Sequence, residues 1–285
     1  RDQPRSRGLG DVYKRQVYYH KILMTNIILD QLYTMNGTDM ERQDLAGEAY
    51  FMRAFSYFML ANLYGKPYHP ATANEDLCVP LNKEIGLSDK MMKRATNAAV
   101  YAQMEEDINK AIQCFKAIGG EKTIFRPNLP SAYLLASRIA LFQEKYDVTI
   151  LYCDSVFKVA TQPLYKLQEK KDHYFFSLAN KEILLSYGLT SLETHMKEDF
   201  RYTGNLVVSD DLLALYSEDD LRLTNYFKNT IGNQTRPTNK QYSVYTPIKW
   251  TKNSATVYAN ALRISEAYLN LSLIHISEPT RPRLI

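Results

Sequence analysis

The segment from Thr38 to Pro67 limits the possible folds more than any other part of the chain. Thr38 followed three residues later by Glu41 is a capping-box signature, so a helix opens here. It runs to Tyr64, where Gly65 is placed to occupy the C′ position and Pro67 forbids continuation. Leu45, Ala49, Met52, Ser56, Met59 and Leu63 recur at helical spacing, while Phe51, Phe55 and Phe58 line a neighbouring face. A helix apolar on two adjoining faces is expected to be buried on both sides.

The neighbours follow the same logic. Tyr18, Ile22, Thr25, Leu29 and Leu32 predict a helix over 17–35, ended by Asn36-Gly37. It forms a helical hairpin with the next. Residues 66–93 read as a loop. Thr96 caps a third helix with Val100, Met104, Ile108, Ala111 and Phe115 on one face, stopped by Gly119-Gly120. A fourth helix covers 128–143, with Pro130 tolerated in its first turn, and a fifth covers 147–160. Ala132, Ala136 and Ala140 allow a partner to approach the fourth closely.

After about residue 161 the character changes. Residues 182–187 read as a short strand, 188–208 as irregular, and 210–216 and 219–227 as short helices or turns. Residues 228–256 are polar and loop-like. A final helix is expected over 255–271. The fold class is therefore mainly α: helical hairpins over about 17–160, packed against a loop-rich part with minor β over about 161–256.

Composition excludes several functions. With 45% hydrophobic and 23% charged residues, the chain can fill a core and is not disordered. No apolar run approaches the ~18 residues of a membrane helix. The net charge of +4 sits wholly in residues 1–16 and 272–285, leaving 17–271 neutral. A nucleic-acid partner is not indicated. Both tails are rich in Arg, Pro and Ser, lack periodicity and resemble translated sequencing adapter. They are expected to be foreign to the protein, with the gene cut at both ends. Cys78, Cys114 and Cys153 have no metal spacing, and no two of the five histidines stand at i, i+4. No metal or cofactor site is expected, and no nucleophile elbow, P-loop or dinucleotide fingerprint is present.

Residues 47–67, GEAYFMRAFSYFMLANLYGKP, resemble the hallmark helix of the SusD/RagB-like family through Gly47, Glu48, Arg53, Tyr57, Gly65 and Pro67. Residues 94–112 resemble its next block, with Arg94, Tyr101 and Asp107 in place. Further blocks follow in the family's order: residues 126–146, Glu182-Ile183, Asp219-Asp220 with Arg222, and Arg263 with Glu266. The resemblance spans 17–271. It implies paired helices like tetratricopeptide repeats and no catalysis. It also implies surface capture of oligosaccharide, peptide or another nutrient for a TonB-dependent, SusC-like transporter. The implied location is the outer membrane of Bacteroidota-type bacteria, through an N-terminal lipid anchor that this sequence does not contain.

The residues themselves allow rival readings. Glu48 and Arg53 could be a functional pair, but a carboxylate near a helix N-terminus and an arginine bridging to a neighbouring helix serve packing. Asp219 and Asp220 could suggest a glycan hydrolase, yet adjacent residues cannot straddle one glycosidic bond, and helix capping explains them better. A soluble helical-repeat scaffold is a further alternative, opposed by the irregular stretch 188–256. The 22 tyrosines suit sugar stacking. Those in expected loops, Tyr68, Tyr242 and Tyr245, together with Trp250, are the candidate ligand contacts.

Overall fold

A computed structural model describes residues 4–86, 92–120, 123–164, 180–189, 208–233, 241–247 and 258–277. The chain divides into two compact units, 1–161 with 262–285, and 162–261.

The first unit is a helical array. Its helices are α1 (Pro4–Gln31), α2 (Asp39–Tyr64), α3 (Asn97–Ile118), α4 (Leu129–Phe142), α5 (Tyr146–Val159) and α8 (Ile264–Ser277). Each of the first five packs on the next in chain order, and α8 closes on α4 and α5. The mainly α fold expected from the sequence is what the chain adopts. Among the described residues no helix is long and apolar enough to cross a membrane.

Helix α2 shows why. The Thr38 hydroxyl accepts from Glu41 N at 3.2 Å, and the Glu41 carboxylate accepts from Thr38 N at 2.8 Å, completing the capping box. Both sides of α2 are covered, by α1 and by α3. The buried positions differ from the simple stripe, however. Phe51, Ala54, Tyr57, Phe58, Leu60 and Ala61 are buried, while Leu63 is exposed. Small residues let the neighbouring helices close in. A Cβ on Gly47 would lie 2.7 Å from the Phe115 ring of α3, so this glycine allows α2 and α3 to touch. Gly65 is likewise a glycine for space. Its φ of −89° is not left-handed, but a Cβ there would stand 2.6 Å from the Ala61 carbonyl oxygen and 2.7 Å from Cys78 Sγ.

Other boundaries move. The helix expected over 17–35 is Pro4–Gln31. At its end the Thr34 hydroxyl and N–H both donate to the Gln31 carbonyl, closing the last turn early. Its start was hidden because residues 4–16 carry no apolar stripe. Helix α4 begins at a capping box between Asn128 and Ser131, with Pro130 in the first turn as expected.

The described residues of the connection from α2 to α3 form no regular element, yet side chains fasten their backbone. Tyr19 of α1 donates to Pro80 O at 2.8 Å, and Asn26 donates to Asn82 O at 3.0 Å and Glu84 O at 3.2 Å. The Tyr57 hydroxyl donates to Asn82 O and accepts from Asn82 N, both at 2.9 Å. Arg94 donates to Cys78 O and Leu77 O, both at 2.5 Å.

In the second unit, β1 (Ile183–Leu189) matches the expected strand, and Ile183, Leu184 and Leu185 are all buried. Two short helices follow, α6 (Asp210–Leu213), capped by Ser209, and α7 (Leu221–Tyr226), capped by Asp220. The polar content of residues 228–256 predicts a loop. Instead β2 (Phe227–Asn233) and β3 (Gln241–Pro247) form an antiparallel pair, Phe227 opposite Pro247 and Asn233 opposite Gln241. The polar Asn, Gly and Pro content masked strand-favouring Thr230-Ile231 and Val244-Tyr245. The expected helix over 255–271 is also corrected. Residues 258–263 form β4 (Tyr258–Arg263), paired with β1, and α8 starts only at Ile264. Local propensity in Tyr-Ala-Asn-Ala-Leu-Arg allows a helix, and strand pairing overrides it.

Candidate functional site

The motif residues converge on a buried staple. Arg53 projects from α2 between its two neighbours. Its Nε and Nη2 donate to the two Asp107 carboxylate oxygens of α3 at 2.9 and 2.6 Å. Its Nη1 donates to Asn26 Oδ1 of α1 at 2.9 Å. Gln103, one turn before Asp107, donates to the same carboxylate at 3.0 Å. Because Asn26 also holds Asn82 and Glu84, one guanidinium ties three helices and the following loop together. The Asp107 side chain is fully buried. Burial pushes its carboxyl above the ordinary range, and the hydrogen bonds from Arg53 and Gln103 offset this only in part. Burial likewise pushes the Tyr57 hydroxyl, beside this node, up to about 12.

Two more arginine–carboxylate links repeat the device. Glu48 pairs with Arg126, ahead of α4, at 2.7 Å and not with Arg53. It stands well past the first turn of α2, so its role is cross-linking and not stabilisation of the helix start. Arg138 of α4 clasps Glu266 of α8 through two hydrogen bonds of 2.5 Å. Arg263 lies one residue before α8, at the end of β4. Arg94 fastens the loop backbone, and Tyr101 is buried. The motif side chains thus hold the array in register. Among the described residues, no group of three or more His, Cys, Asp or Glu side chains could hold a metal ion.

The candidate ligand contacts fall in different places. Tyr68, in the first unit, is half-buried with its ring centroid 4.7 Å from that of Tyr101. Positions 242 and 245 lie on β3, opposite Gly232 and Asn229. Trp250 lies outside the described residues. Sequence reasoning did not single out two further aromatic residues of the second unit. Tyr187 is exposed near the end of β1. The Tyr216 ring lies 5.0 Å from the Arg222 guanidinium and 5.6 Å from the Phe227 ring. Arg222 is clamped by Asp220, whose carboxyl it holds below the ordinary range, while Asp220 also caps α7 at Arg222 N, 2.9 Å away. The Asp-Asp-x-Arg motif was therefore a usable signal for an ordered aromatic neighbour. Chemically, such a ring offers C–H stacking to a sugar face, and the charged pair beside it offers donors and acceptors to hydroxyls.

Comparison with known proteins follows this geometry. A family model of SusD-like proteins, described as starch-binding and associating with the outer membrane, matches residues 11–141. No curated protein matches the sequence. Among solved structures, a SusD superfamily protein from Bacteroides thetaiotaomicron is similar at TM-score 0.75 and 23% identity, over 93% of this chain and 62% of that one. A SusD-like carbohydrate-binding protein from Bacteroides vulgatus is similar at TM-score 0.75 and 19% identity, over 93% and 58%. A surface glycan-binding protein from Bacteroides uniformis is similar at TM-score 0.63 and 15% identity, over 92% and 61%. The chain thus spans less than two thirds of the length of each of these structures. The fold is shared with all three, and residues 11–141 match the model of the family that the ordered motif blocks resemble.

Proposed function

We propose that this protein binds oligosaccharide at the bacterial cell surface and delivers it to a TonB-dependent, SusC-like outer-membrane transporter, without catalysis. The observation that carries this reading is the family match over residues 11–141, the stretch that contains the Arg53–Asp107 staple. The names of similar structures, one a carbohydrate-binding protein and one a surface glycan-binding protein, support the ligand class. The chemistry agrees. The ordered motif carboxylates Glu48, Asp107, Asp220 and Glu266 are all engaged by arginines as structural links. A glycosidase needs two carboxyl groups free to act on opposite sides of one bond. The protein works at the outer membrane, attached through an N-terminal lipid. Its ligand contacts are aromatic side chains of the second unit, with Tyr242, Tyr245, Trp250 and Tyr216 the residues to test. A peptide is the competing ligand class.

Retention of the chain in native gels cast with soluble starch, xyloglucan or other neutral polysaccharides tests the reading. At least one polysaccharide should retard it. Replacing the stacking aromatic, with Trp250→Ala and Tyr216→Ala as first variants, should weaken binding roughly fivefold, as expected for a lost ring contact worth about 1 kcal/mol. Mobility unchanged in every polysaccharide would sink the proposal. Release of shortened glycan would replace it with an enzyme. Co-purification with a co-expressed transporter barrel checks the delivery step.

A further inference from the structure

The turn between α1 and α2 carries an Asn36-Gly37 pair whose groups are free to react with each other. Asn36 and Gly37 are both exposed. Among the described residues, neither the Asn36 side-chain amide nor the Gly37 N–H has a hydrogen-bond partner. Several of the other described asparagines are restrained. The side chains of Asn26, Asn128 and Asn225 are hydrogen-bonded. The N–H after Asn74 is donated to Thr72 O at 2.9 Å. Gly37 has φ +149°, a conformation open to glycine, and its lack of a Cβ leaves the approach to its nitrogen unobstructed.

We propose that Asn36 is a site of spontaneous, non-enzymatic modification, in which its side-chain amide is converted to a carboxylate. The Gly37 backbone nitrogen, on losing its proton to solvent base, attacks Asn36 Cγ. The bond from Cγ to the side-chain nitrogen breaks and ammonia leaves, forming a five-membered succinimide. Water opens the ring at either carbonyl, giving an aspartyl or an isoaspartyl linkage at position 36. The sum is one water consumed and one ammonia released. Holding nucleophile and electrophile in adjacent residues makes the step intramolecular. Arg42 donates to Met35 O at 3.0 Å, so a guanidinium lies near the turn, as does the Glu41 carboxylate, whose Oε2 would be 3.3 Å from a Cβ on Gly37. A carboxylate just ahead of α2 also favours the helix N-terminus. The isoaspartyl form also adds a backbone carbon to the short connection that sets α1 against α2.

Incubation of the folded full chain in mildly alkaline buffer, followed by peptide mapping, tests this. The peptide spanning Asn36-Gly37 should gain the mass of NH exchanged for O, faster at higher pH, ahead of the peptides bearing Asn26, Asn74 and Asn128. N36Q should abolish the gain while keeping an amide in place, so a poorly folding variant at Gly37 is not needed. An unmodified Asn36 peptide in folded protein, after a time that converts the free peptide of the same sequence, would overturn the proposal. So would earlier conversion of the hydrogen-bonded asparagines.

Discussion

In the helical array Arg53 reaches 54 residues along the chain to Asp107, and Arg138 reaches 128 residues to Glu266, whereas in the second unit Arg222 pairs with Asp220 two residues away. The first pair is almost dry, whereas in the last the Arg222 side chain is half-exposed. An arginine clasping a distant buried carboxylate fixes how helices sit against each other, and its loss leaves a charge stranded. An arginine clasping its own helix cap fixes only one turn, so the surrounding surface can vary without loss of the fold. The array is therefore the strongly cross-linked part, and the second unit is the part whose surface can vary, in keeping with the ligand-binding role proposed for it.

The largest effect expected from this contrast is that of Arg53→Ala. It leaves Asp107 buried and unpaired and should destabilise the array by about 3–5 kcal/mol, read as a lowered urea midpoint. Arg222→Ala should leave that midpoint unchanged. Equal effects would break the contrast between the units. A smaller loss is expected for Gly47→Ala, whose Cβ must displace the Phe115 ring, about 1–3 kcal/mol by the same measurement. The smallest effect concerns acid. The hydrogen bonds of Thr38 hold the Glu41 carboxyl below its ordinary range, and those of Arg222 do the same for Asp220. Groups lowered in the folded state contribute fully above their unfolded pKa and lose that contribution as pH falls through the folded value. Both caps should therefore persist through the ordinary carboxylate range and weaken only below it, in an acid titration followed by circular dichroism. Asp107, whose shift runs the other way, should not contribute to that loss, because its protonation on acidification favours the folded state.

Much of this was legible in the residues. The capping box at Thr38, the third helix from Thr96 to Gly119, the first-turn Pro130 and the strand beginning at Ile183 all stand where sequence patterning puts them. Each rests on interactions within a few residues, which sequence displays directly. The candidate site was less legible. Tyr68 is packed on Tyr101, and although the Asp-Asp-x-Arg motif marks Arg222, only folding sets the Tyr216 ring against Arg222 and Phe227. Of the four aromatic candidates, only Tyr68 has a described side chain.

By itself the sequence determined that this chain is mainly helical, where its first capped helices begin, and which family its motifs resemble. Tertiary structure alone decided that Arg53 meets Asp107 and Glu48 meets Arg126, and that Gly47 and Gly65 are small to admit a neighbour. It also decided that residues 258–263 extend as a strand. The reason is one of range. Caps and periodicity are set by neighbours along the chain, whereas partners, close approaches and strand pairing are set by segments that only folding brings together.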